Sequence, residues 1–310
     1  MSTAPSAFFL RVLCVRLSEG LPLPQPLLHR ELVLDGIRLS YLEREATGGA
    51  APLLLLHGLI ASAETFAALI AELPPDRRII ALDLPGTELP SHAKASDLTL
   101  CGLARLVLDF SKTIGLNAPI ILGHSHGGAI ALQIAASFPE SIAGLILLCP
   151  AHPFVYRERW LIAFYNSWLG GAVARTFRWF PKPFQGVGFR RLLGPVGRKA
   201  RVDFRPYRAS LGNPATIGLV LRLIKTWNTD MDALGKQMET APISVATLFV
   251  WGDCDPVVPI DTAPALQRCL TRWEQATLRG VGHLPNDEAT GECGAHICTW
   301  LALLDQSDRV

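Results

Sequence analysis

A serine held between two glycines is the strongest chemical signal in this chain of 310 residues. The pentad Gly123-His124-Ser125-His126-Gly127 follows a short apolar run, Ala118–Leu122, and precedes a segment rich in Ala and Ile, Gly128–Ser137. A Gly-x-Ser-x-Gly pentad between a strand and a helix forms a sharp turn that lifts the hydroxyl clear of the sheet, and side chains in place of the glycines would collide with neighbouring elements. Ser125 is therefore a candidate nucleophile.

A serine hydroxyl needs a base within hydrogen-bond reach, and that base needs a third group to orient it. Two later segments contain suitable residues. Trp251–Pro259 follows an apolar run and contains Asp253 and Asp255, and Gly280–Pro285 follows the next strand-like run and contains His283. Polar residues that follow parallel strands meet at the carboxyl edge of the sheet, which is the edge where Ser125 is expected.

The elements that must position these residues alternate between strand and helix. A hairpin is predicted over Glu31–Glu45, with Asp35-Gly36 as its turn. Buried strands and helices then alternate from Leu53 to Cys149, which favours a parallel sheet covered on both faces. The later elements predicted are a strand at Val245–Trp251, a helix near Ala263–Leu270, a strand at Glu274–Leu278 and a final helix at Asn286–Leu304.

The alternation is interrupted after Pro150 by an aromatic and basic segment. Residues 151–210 contain twelve Lys or Arg against Glu158 and Asp203, so this stretch has a net charge near +10 in a chain whose total is only +2. We predict an N-terminal extension at 1–29, a core at 30–150 and 241–310, and an inserted helical lid at 151–240. The basic charge is interpreted as a solvated face in preference to a site for anionic substrates, coenzyme-A-like groups or a membrane.

Composition limits the classes of protein to consider. Hydrophobic residues make up 49% of the chain, which is enough for a sizeable core. The small total charge gives no overall attraction to nucleic acid, and no apolar run reaches the roughly 18 residues that span a bilayer. Seven cysteines without a metal-ligand cluster or a secretory signal favour reduced thiols in the cytoplasm. Membrane-surface contact is disfavoured, and either a monomer or a homodimer is expected.

Taken together, the motifs resemble the α/β-hydrolase superfamily, in its lid-bearing branch of esterase-like and lipase-like serine hydrolases. The motifs are His57-Gly58, Asp83-Leu84-Pro85-Gly86, the serine pentad, Trp251-Gly-x-x-Asp255 and Gly282-His283. The resemblance covers roughly residues 30–304. It implies an α/β fold with a mostly parallel eight-stranded sheet, helices on both faces and an inserted helical lid.

The resemblance also implies roles for individual residues. Ser125 would be the nucleophile, His283 the base and then the acid, and Asp255 the orienting carboxylate, preferred to Asp253. The backbone N–H groups of Leu59 and His126 would form the oxyanion hole. No metal or organic cofactor is implied.

The remaining candidates have both structural and functional interpretations. His57 is expected to hold the oxyanion loop, Asp83 to brace its own loop, and His124 to pack beside the serine. The aromatic residues Trp160, Phe164 and Trp168 recur at intervals of four, which places them on one face of a helix. This face could form the lid's own core or a substrate-binding roof over an apolar site, and the two interpretations overlap.

The function expected is hydrolysis of an apolar ester or acyl substrate through a Ser-His-Asp triad and an acyl-enzyme. Carbon–carbon bond, thioester or amide hydrolysis on the same triad stays open, as does a ligand-binding receptor with low turnover. Attack by a carboxylate, as in dehalogenases and epoxide hydrolases, is disfavoured because the nucleophile position holds a serine.

Overall fold

A computed structural model describes residues 26–85, 98–156, 159–176, 179, 182–200 and 202–307. Most of the predicted N-terminal extension and most of the loop that follows Asp83 therefore lie outside the described residues. Within them, one sheet of eight strands contains β1 (Leu28–Leu34), β2 (Ile37–Arg44), β3 (Ala50–Leu56), β4 (Arg77–Leu82), β5 (Ile120–His124), β6 (Gly144–Leu148), β7 (Thr247–Gly252) and β8 (Trp273–Leu278).

The strand order is β1-β2-β4-β3-β5-β6-β7-β8. The first hairpin is antiparallel, and β2 also pairs antiparallel with β4, whereas the other neighbours are parallel. The hairpin turns at Asp35 and Gly36, which both have positive φ, as a tight turn requires. These observations confirm the mostly parallel eight-stranded sheet expected from the sequence.

Helices cover both faces of the sheet because its central strands are apolar on both sides. In β3, Leu54 and Leu56 pack with α2 (Leu100–Thr113) and α3 (His126–Ser137). Leu53 and Leu55 pack with α1 (Ala67–Glu72) and α12 (Thr290–Ser307), and all four side chains are fully buried. The helices of this core are α1 (Ala67–Glu72), α2 (Leu100–Thr113), α3 (His126–Ser137), α10 (Ala263–Gln267), α11 (Pro285–Glu288) and α12 (Thr290–Ser307).

Two predicted helices are broken in the structure. The first of the helices expected between Leu53 and Cys149 begins as a 3-10 turn, Ala63–Phe66, before α1. The final helix is divided at Ala289, whose φ of −142° is not helical, so that α11 is a single turn directly after His283. This single turn presents two acidic side chains, Asp287 and Glu288, close to the histidine.

In the described part of the chain, six helices lie between β6 and β7, and they are called the insertion here. They are α4 (Arg159–Asn166), α5 (Trp168–Thr176), α6 (Lys182–Arg190), α7 (Pro195–Lys199), α8 (Arg205–Gly212) and α9 (Pro214–Thr240). The long α9 returns the chain to the sheet, and its residues Met231, Leu234 and Met238 are buried in the same cluster as α2 and α3. Across the described part of the chain, every helix is too short or too polar to cross a bilayer.

Candidate active site

Ser125 occupies the sharp turn between β5 and α3. Its φ of 51° and ψ of −115° lie outside the ordinary regions for a residue with a side chain. A Cβ on Gly123 would lie 2.5 Å from the carbonyl oxygen of Gly127, and a Cβ on Gly127 would lie 2.1 Å from that of Leu56. The two glycines therefore allow the turn to pass between β3 and the start of α3.

The carboxyl ends of β7 and β8 bring a carboxylate and an imidazole to this serine. The Nε2 atom of His283 lies 2.9 Å from Oγ of Ser125, and its Nδ1 atom lies 2.8 Å from Oδ2 of Asp255. Asp253 faces elsewhere, because its Oδ1 accepts a hydrogen bond of 2.7 Å from the backbone N–H of Gly280. The structure thus brings Ser125, His283 and Asp255 into one continuous chain of hydrogen bonds.

The environment of Asp255 keeps its carboxylate charged. Burial alone would raise the pKa of Asp255, but the nearby His283 and two backbone N–H groups lower it below its usual value. Those groups belong to Val257 and Val258 and donate to Oδ1 at 2.8 and 2.9 Å. An ionised carboxylate only accepts hydrogen bonds, so Nδ1 of His283 carries the proton. In the neutral imidazole, Nε2 is then left free to accept from the serine hydroxyl.

The loop after β3 lies directly against the serine. A Cβ on Gly58 would be 3.1 Å from the Cβ of Ser125, so a larger residue would crowd this serine. His57 fixes this loop: its Nδ1–H donates to the carbonyl of Gly58 at 2.8 Å, and its Nε2 accepts from the N–H of Leu84 at 3.0 Å. Burial lowers the pKa of His57, which agrees with a neutral ring that both donates and accepts.

The two residues predicted to form an oxyanion hole are Leu59, in the loop after β3, and His126, at the start of α3. His126 begins α3, and the first N–H groups of a helix have no partner within it. Leu59 follows Gly58, and both Leu59 and His126 line the same cavity. Asp83 is hydrogen-bonded to the segment that follows Leu59, because its Oδ1 accepts from the N–H of Ala63 at 2.7 Å.

The histidines that flank Ser125 in the sequence have other partners. His124 donates from Nε2 to the carbonyl of His283 at 2.8 Å, and burial lowers its pKa to about 3. The ring of His126 stacks on Trp227 with 5.5 Å between centroids, and burial likewise lowers its pKa to about 3. Both rings therefore stay neutral, and the contact to the hydroxyl of Ser125 comes from His283.

One group of possible metal ligands occurs in the described part of the chain. Donor atoms of Cys149, Asp255 and His283 lie within 4.8 Å of one another. Asp255 and His283 already use these atoms in the contacts given above. Burial and the charge of Asp255 raise the pKa of the Cys149 thiol well above its usual value, so it stays protonated and is a poor ligand. The chemistry of this donor set does not suit a metal ion.

A cavity of about 410 Å³ is lined by the hairpin, the loop after β3, His126 of the serine turn and helices α8 and α9 of the insertion. Its apolar lining includes Leu59 from the core, Leu103 from α2 and three residues of α9, Leu219, Val220 and Leu223. Its polar lining includes Glu31, Arg38, Ser40, Ser62 and Glu64. The cavity therefore suits a molecule that has both apolar and polar groups.

The cavity-lining residues of α9 are not among the site residues predicted from the sequence. Leu219 and Leu223 are four residues apart, a helical spacing that could have identified them. The sequence predicts an inserted helical lid over 151–240, but without assigning any residue of α9 to the site.

The three aromatic residues predicted as a substrate-binding roof occupy a different place. Trp160, Phe164 and Trp168 are 70%, 37% and 85% exposed, and none of them is among the described residues that line the cavity. They do not share one helix, because α4 ends at Asn166 and Trp168 begins α5. Ser167 starts the second helix, since its Oγ accepts from the N–H of Gly170 at 3.1 Å. The structure therefore corrects the predicted continuous helix face.

Comparison with known proteins agrees with this fold. The alpha/beta hydrolase fold family matches residues 51–290. The uncharacterized hydrolase YugF of Bacillus subtilis is 26% identical over 275 residues, which cover 88% of this chain and 97% of YugF. The monoacylglycerol lipase ABHD6 of Bos taurus is 30% identical over 286 residues, which cover 89% of this chain and 82% of the lipase.

Solved structures show the same architecture. The lip1 protein of Acinetobacter baumannii AYE superposes with a TM-score of 0.73 at 22% identity and covers 91% of this chain, with 93% of its own chain matched. A bacterial membrane phospholipase A gives a TM-score of 0.72 at 22% identity, covering 90% of this chain and 87% of its own. The chain belongs to the alpha/beta hydrolase fold family. It is a hydrolase of this fold, related to monoacylglycerol lipases.

Proposed function

We propose that this protein is a serine hydrolase that cleaves ester-type acyl substrates through an acyl-enzyme. The observation that carries the proposal is the chain of hydrogen bonds from Asp255 through His283 to Ser125, with distances of 2.8 and 2.9 Å. A buried carboxylate, an oriented imidazole and a hydroxyl in this order are the parts that nucleophilic acyl transfer needs.

In the proposed mechanism, Oγ of Ser125 attacks the substrate carbonyl carbon while Nε2 of His283 takes the hydroxyl proton. Asp255 stabilises the imidazolium that forms. The N–H groups of Leu59 and His126 donate to the tetrahedral oxyanion, a contribution of about 3–4 kcal/mol for each well-placed donor.

Collapse of this intermediate breaks the bond to the alcohol, which leaves with the proton from His283. Water then attacks the acyl-enzyme, with His283 as its base, and the acid is released. Each cycle therefore consumes one ester and one water and yields one alcohol and one acid.

The cavity favours an amphiphilic ester as substrate. Its apolar lining, at Leu219 and Leu223, fits an acyl chain, and its polar lining, near Ser40 and Ser62, fits a hydroxylated alcohol group. The related monoacylglycerol lipases take their name from a substrate of this kind. We infer an acylglycerol-like ester of moderate chain length, enclosed by the insertion acting as a lid.

Covalent labelling tests the proposal directly. A fluorophosphonate probe should label the intact chain, and Ser125→Ala should abolish both labelling and hydrolysis of short-chain p-nitrophenyl esters. Ser141→Ala is the matched control, because Ser141 is exposed in the turn after α3 and is not among the residues that line the cavity. An intact chain that neither labels nor hydrolyses these esters would contradict the proposal and leave a binding protein as the better explanation.

A further inference from the structure

A short segment of the insertion is bonded to the loop that carries His283. This segment, Leu192–Gly197, is called the strap. The carbonyl of Leu192 accepts from the N–H of His283 itself at 2.8 Å, and the N–H of Val196 donates to the carbonyl of Gly280 at 2.9 Å. The backbone at the histidine and three residues before it is thus held by residues about ninety positions earlier in the chain.

Glycines make this close contact possible. A Cβ on Gly282 would lie 2.3 Å from the carbonyl oxygen of Leu192, and a Cβ on Gly194 would lie 2.4 Å from that of Gly280. In both cases the obstacle is backbone, which cannot move aside as a flexible side chain can. Strap and histidine loop are therefore packed backbone to backbone.

One buried carboxylate joins the two segments. Glu288 is only 5% exposed and lies five residues after His283, at the end of α11. Its Oε1 accepts from the N–H groups of Gly282 and Leu284 at 3.0 and 3.1 Å, which are the residues on either side of His283. Its Oε2 accepts from the N–H of Gly194 in the strap at 2.8 Å.

The strap also leaves room for this carboxylate. A Cβ on Gly197 would lie 2.4 Å from Oε2 of Glu288, so only a residue without a side chain fits there without displacing the carboxylate. Burial raises the pKa of Glu288, whereas the N–H groups of Gly282, Leu284, Gly194 and Gly197 lower it. The backbone donors thus replace the water that a buried carboxylate loses.

We propose that Glu288 is a positioning residue that fixes the imidazole of His283 relative to Ser125 and ties the strap to the active site. The inference rests on the proposed function, in which His283 must meet the hydroxyl at hydrogen-bond distance. Since the same carboxylate holds Gly282 and Leu284, its loss would free both ends of the histidine's backbone. The strap would then be a fixed part of the lid, and any opening would involve other helices.

The test compares Glu288→Gln with Glu292→Gln, an exposed carboxylate on α12. Glutamine keeps the size of the side chain but replaces one acceptor oxygen by an amide that faces backbone donors. We expect kcat for a water-soluble ester to fall roughly 10- to 100-fold, the size typical of a small displacement of a reacting group, while KM changes less than about twofold. Glu292→Gln should match the natural protein.

A second pair of variants approaches the same carboxylate from the strap. Gly197→Ala should displace Glu288 and lower kcat in the same way, whereas Gly188→Ala, on α6 with open space around it, should not. This pair answers the question if Glu288→Gln does not fold. A kcat within twofold of the natural value in a folded Glu288→Gln or Gly197→Ala variant would overturn the proposal, as would equal changes in kcat and KM.

Hydrogen exchange separates this proposal from the proposed function. In Glu288→Gln, amides of 192–197 and 280–284 should exchange at least about tenfold faster than in the natural protein, whatever reaction the protein catalyses. Failure of the natural protein to label with a fluorophosphonate would refute the serine hydrolase mechanism but not the coupling. Unchanged exchange in both segments would refute the coupling itself.

Discussion

The strap and the outer pair of helices, α4 and α5, belong to the same insertion but differ in almost every physical respect. The strap joins the histidine loop through two backbone hydrogen bonds and one buried carboxylate. The outer pair carries exposed aromatic side chains, with Trp160 and Trp168 70% and 85% exposed. Their difference indicates that one part of the insertion is bonded to the loop that carries His283 and another faces outward.

A second contact joins the insertion to α11, this time from α8. The hydroxyl of Tyr207 on α8 donates to Oδ2 of Asp287 at 2.5 Å, and the side chain of Asn286 donates to the same oxygen at 2.9 Å. Asp287 and Glu288 are neighbours on α11, so two adjacent carboxylates hold two different parts of the insertion. On the outer pair, Arg159 instead forms its ion pair with a half-exposed partner, Asp232.

The largest effect should come from the carboxylate that orients His283. Asp255→Asn should lower kcat/KM by about 10³- to 10⁴-fold, because an amide favours the wrong tautomer of the imidazole. Asp253→Asn should stay within a few-fold of the natural protein, since Asp253 bonds only to the backbone of Gly280 in the contacts described above. Ester hydrolysis rates of the two variants, measured side by side, check this, and equal losses would show that the acid has been misassigned.

The hydrogen bond between Tyr207 and Asp287 should contribute measurably to the stability of the protein. Tyr207→Phe removes a buried donor to Asp287 and should lower the free energy of unfolding by about 1–2 kcal/mol. Urea denaturation of the variant and the natural protein gives this difference. If Tyr207→Phe is as stable as the natural protein, this hydrogen bond does not hold α8 to the core. The proposed difference between α8 and the outer pair would then be wrong.

The contribution of Asp287 to the stability of the protein should depend on pH. Burial, together with the charges of Glu288 and Asp203, raises the pKa of Asp287 to about 7, although the hydroxyl of Tyr207 and the amide of Asn286 oppose the rise. The folded protein therefore binds a proton that the unfolded chain has already lost above pH 4. This contribution to stability is greatest at low pH and is lost as the pH rises through about 7.

Thermal unfolding between pH 5 and pH 8 measures this effect. The melting temperature of the natural protein should fall relative to that of Asp287→Asn as the pH rises, since asparagine does not ionise. Parallel melting curves for the two proteins across this range would contradict the assignment.

The smallest effects are expected on the outer pair. Trp168→Ala should change the hydrolysis of a water-soluble ester less than about twofold and the free energy of unfolding by less than about 0.5 kcal/mol, as is usual for surface substitutions. Leu223→Ala, which enlarges the cavity, is the internal comparison. A loss of activity in Trp168→Ala comparable to that in Leu223→Ala would return the outer aromatics to the substrate site.

The sequence was sufficient for the sheet because its signals are local. Runs such as Leu53–Leu56 and Gly144–Cys149 are apolar throughout, as strands buried on both faces must be. The serine turn was equally readable, since its five residues are contiguous in the sequence, although Gly127 is required by the carbonyl of the distant Leu56. The α/β fold and the eight strands are confirmed, whereas the roles of the individual site residues stay predictions.

The strap could not be predicted for a physical reason. Leu192–Gly197 has no helical or strand periodicity, and its partner Glu288 lies 94 residues beyond Gly194. A carboxylate in the first turn of a helix is also an ordinary feature, so Glu288 gave no separate signal. The prediction that Trp160, Phe164 and Trp168 share one helix face was wrong for the opposite reason. Their spacing of four is helical, but Ser167 starts a new helix between Phe164 and Trp168.

The backbone of Ser125 has a consequence for the protein as a whole. A residue with a side chain held at a φ of 51° and a ψ of −115° stores about 1–3 kcal/mol of conformational energy. Glycine at this position would release that energy, even after subtracting the roughly 0.5–1 kcal/mol that its greater freedom in the unfolded chain costs. Glycine at position 125 would thus stabilise the protein, although it removes the hydroxyl on which the proposed reaction depends. The Ser125→Gly variant should therefore melt at a higher temperature than the natural protein.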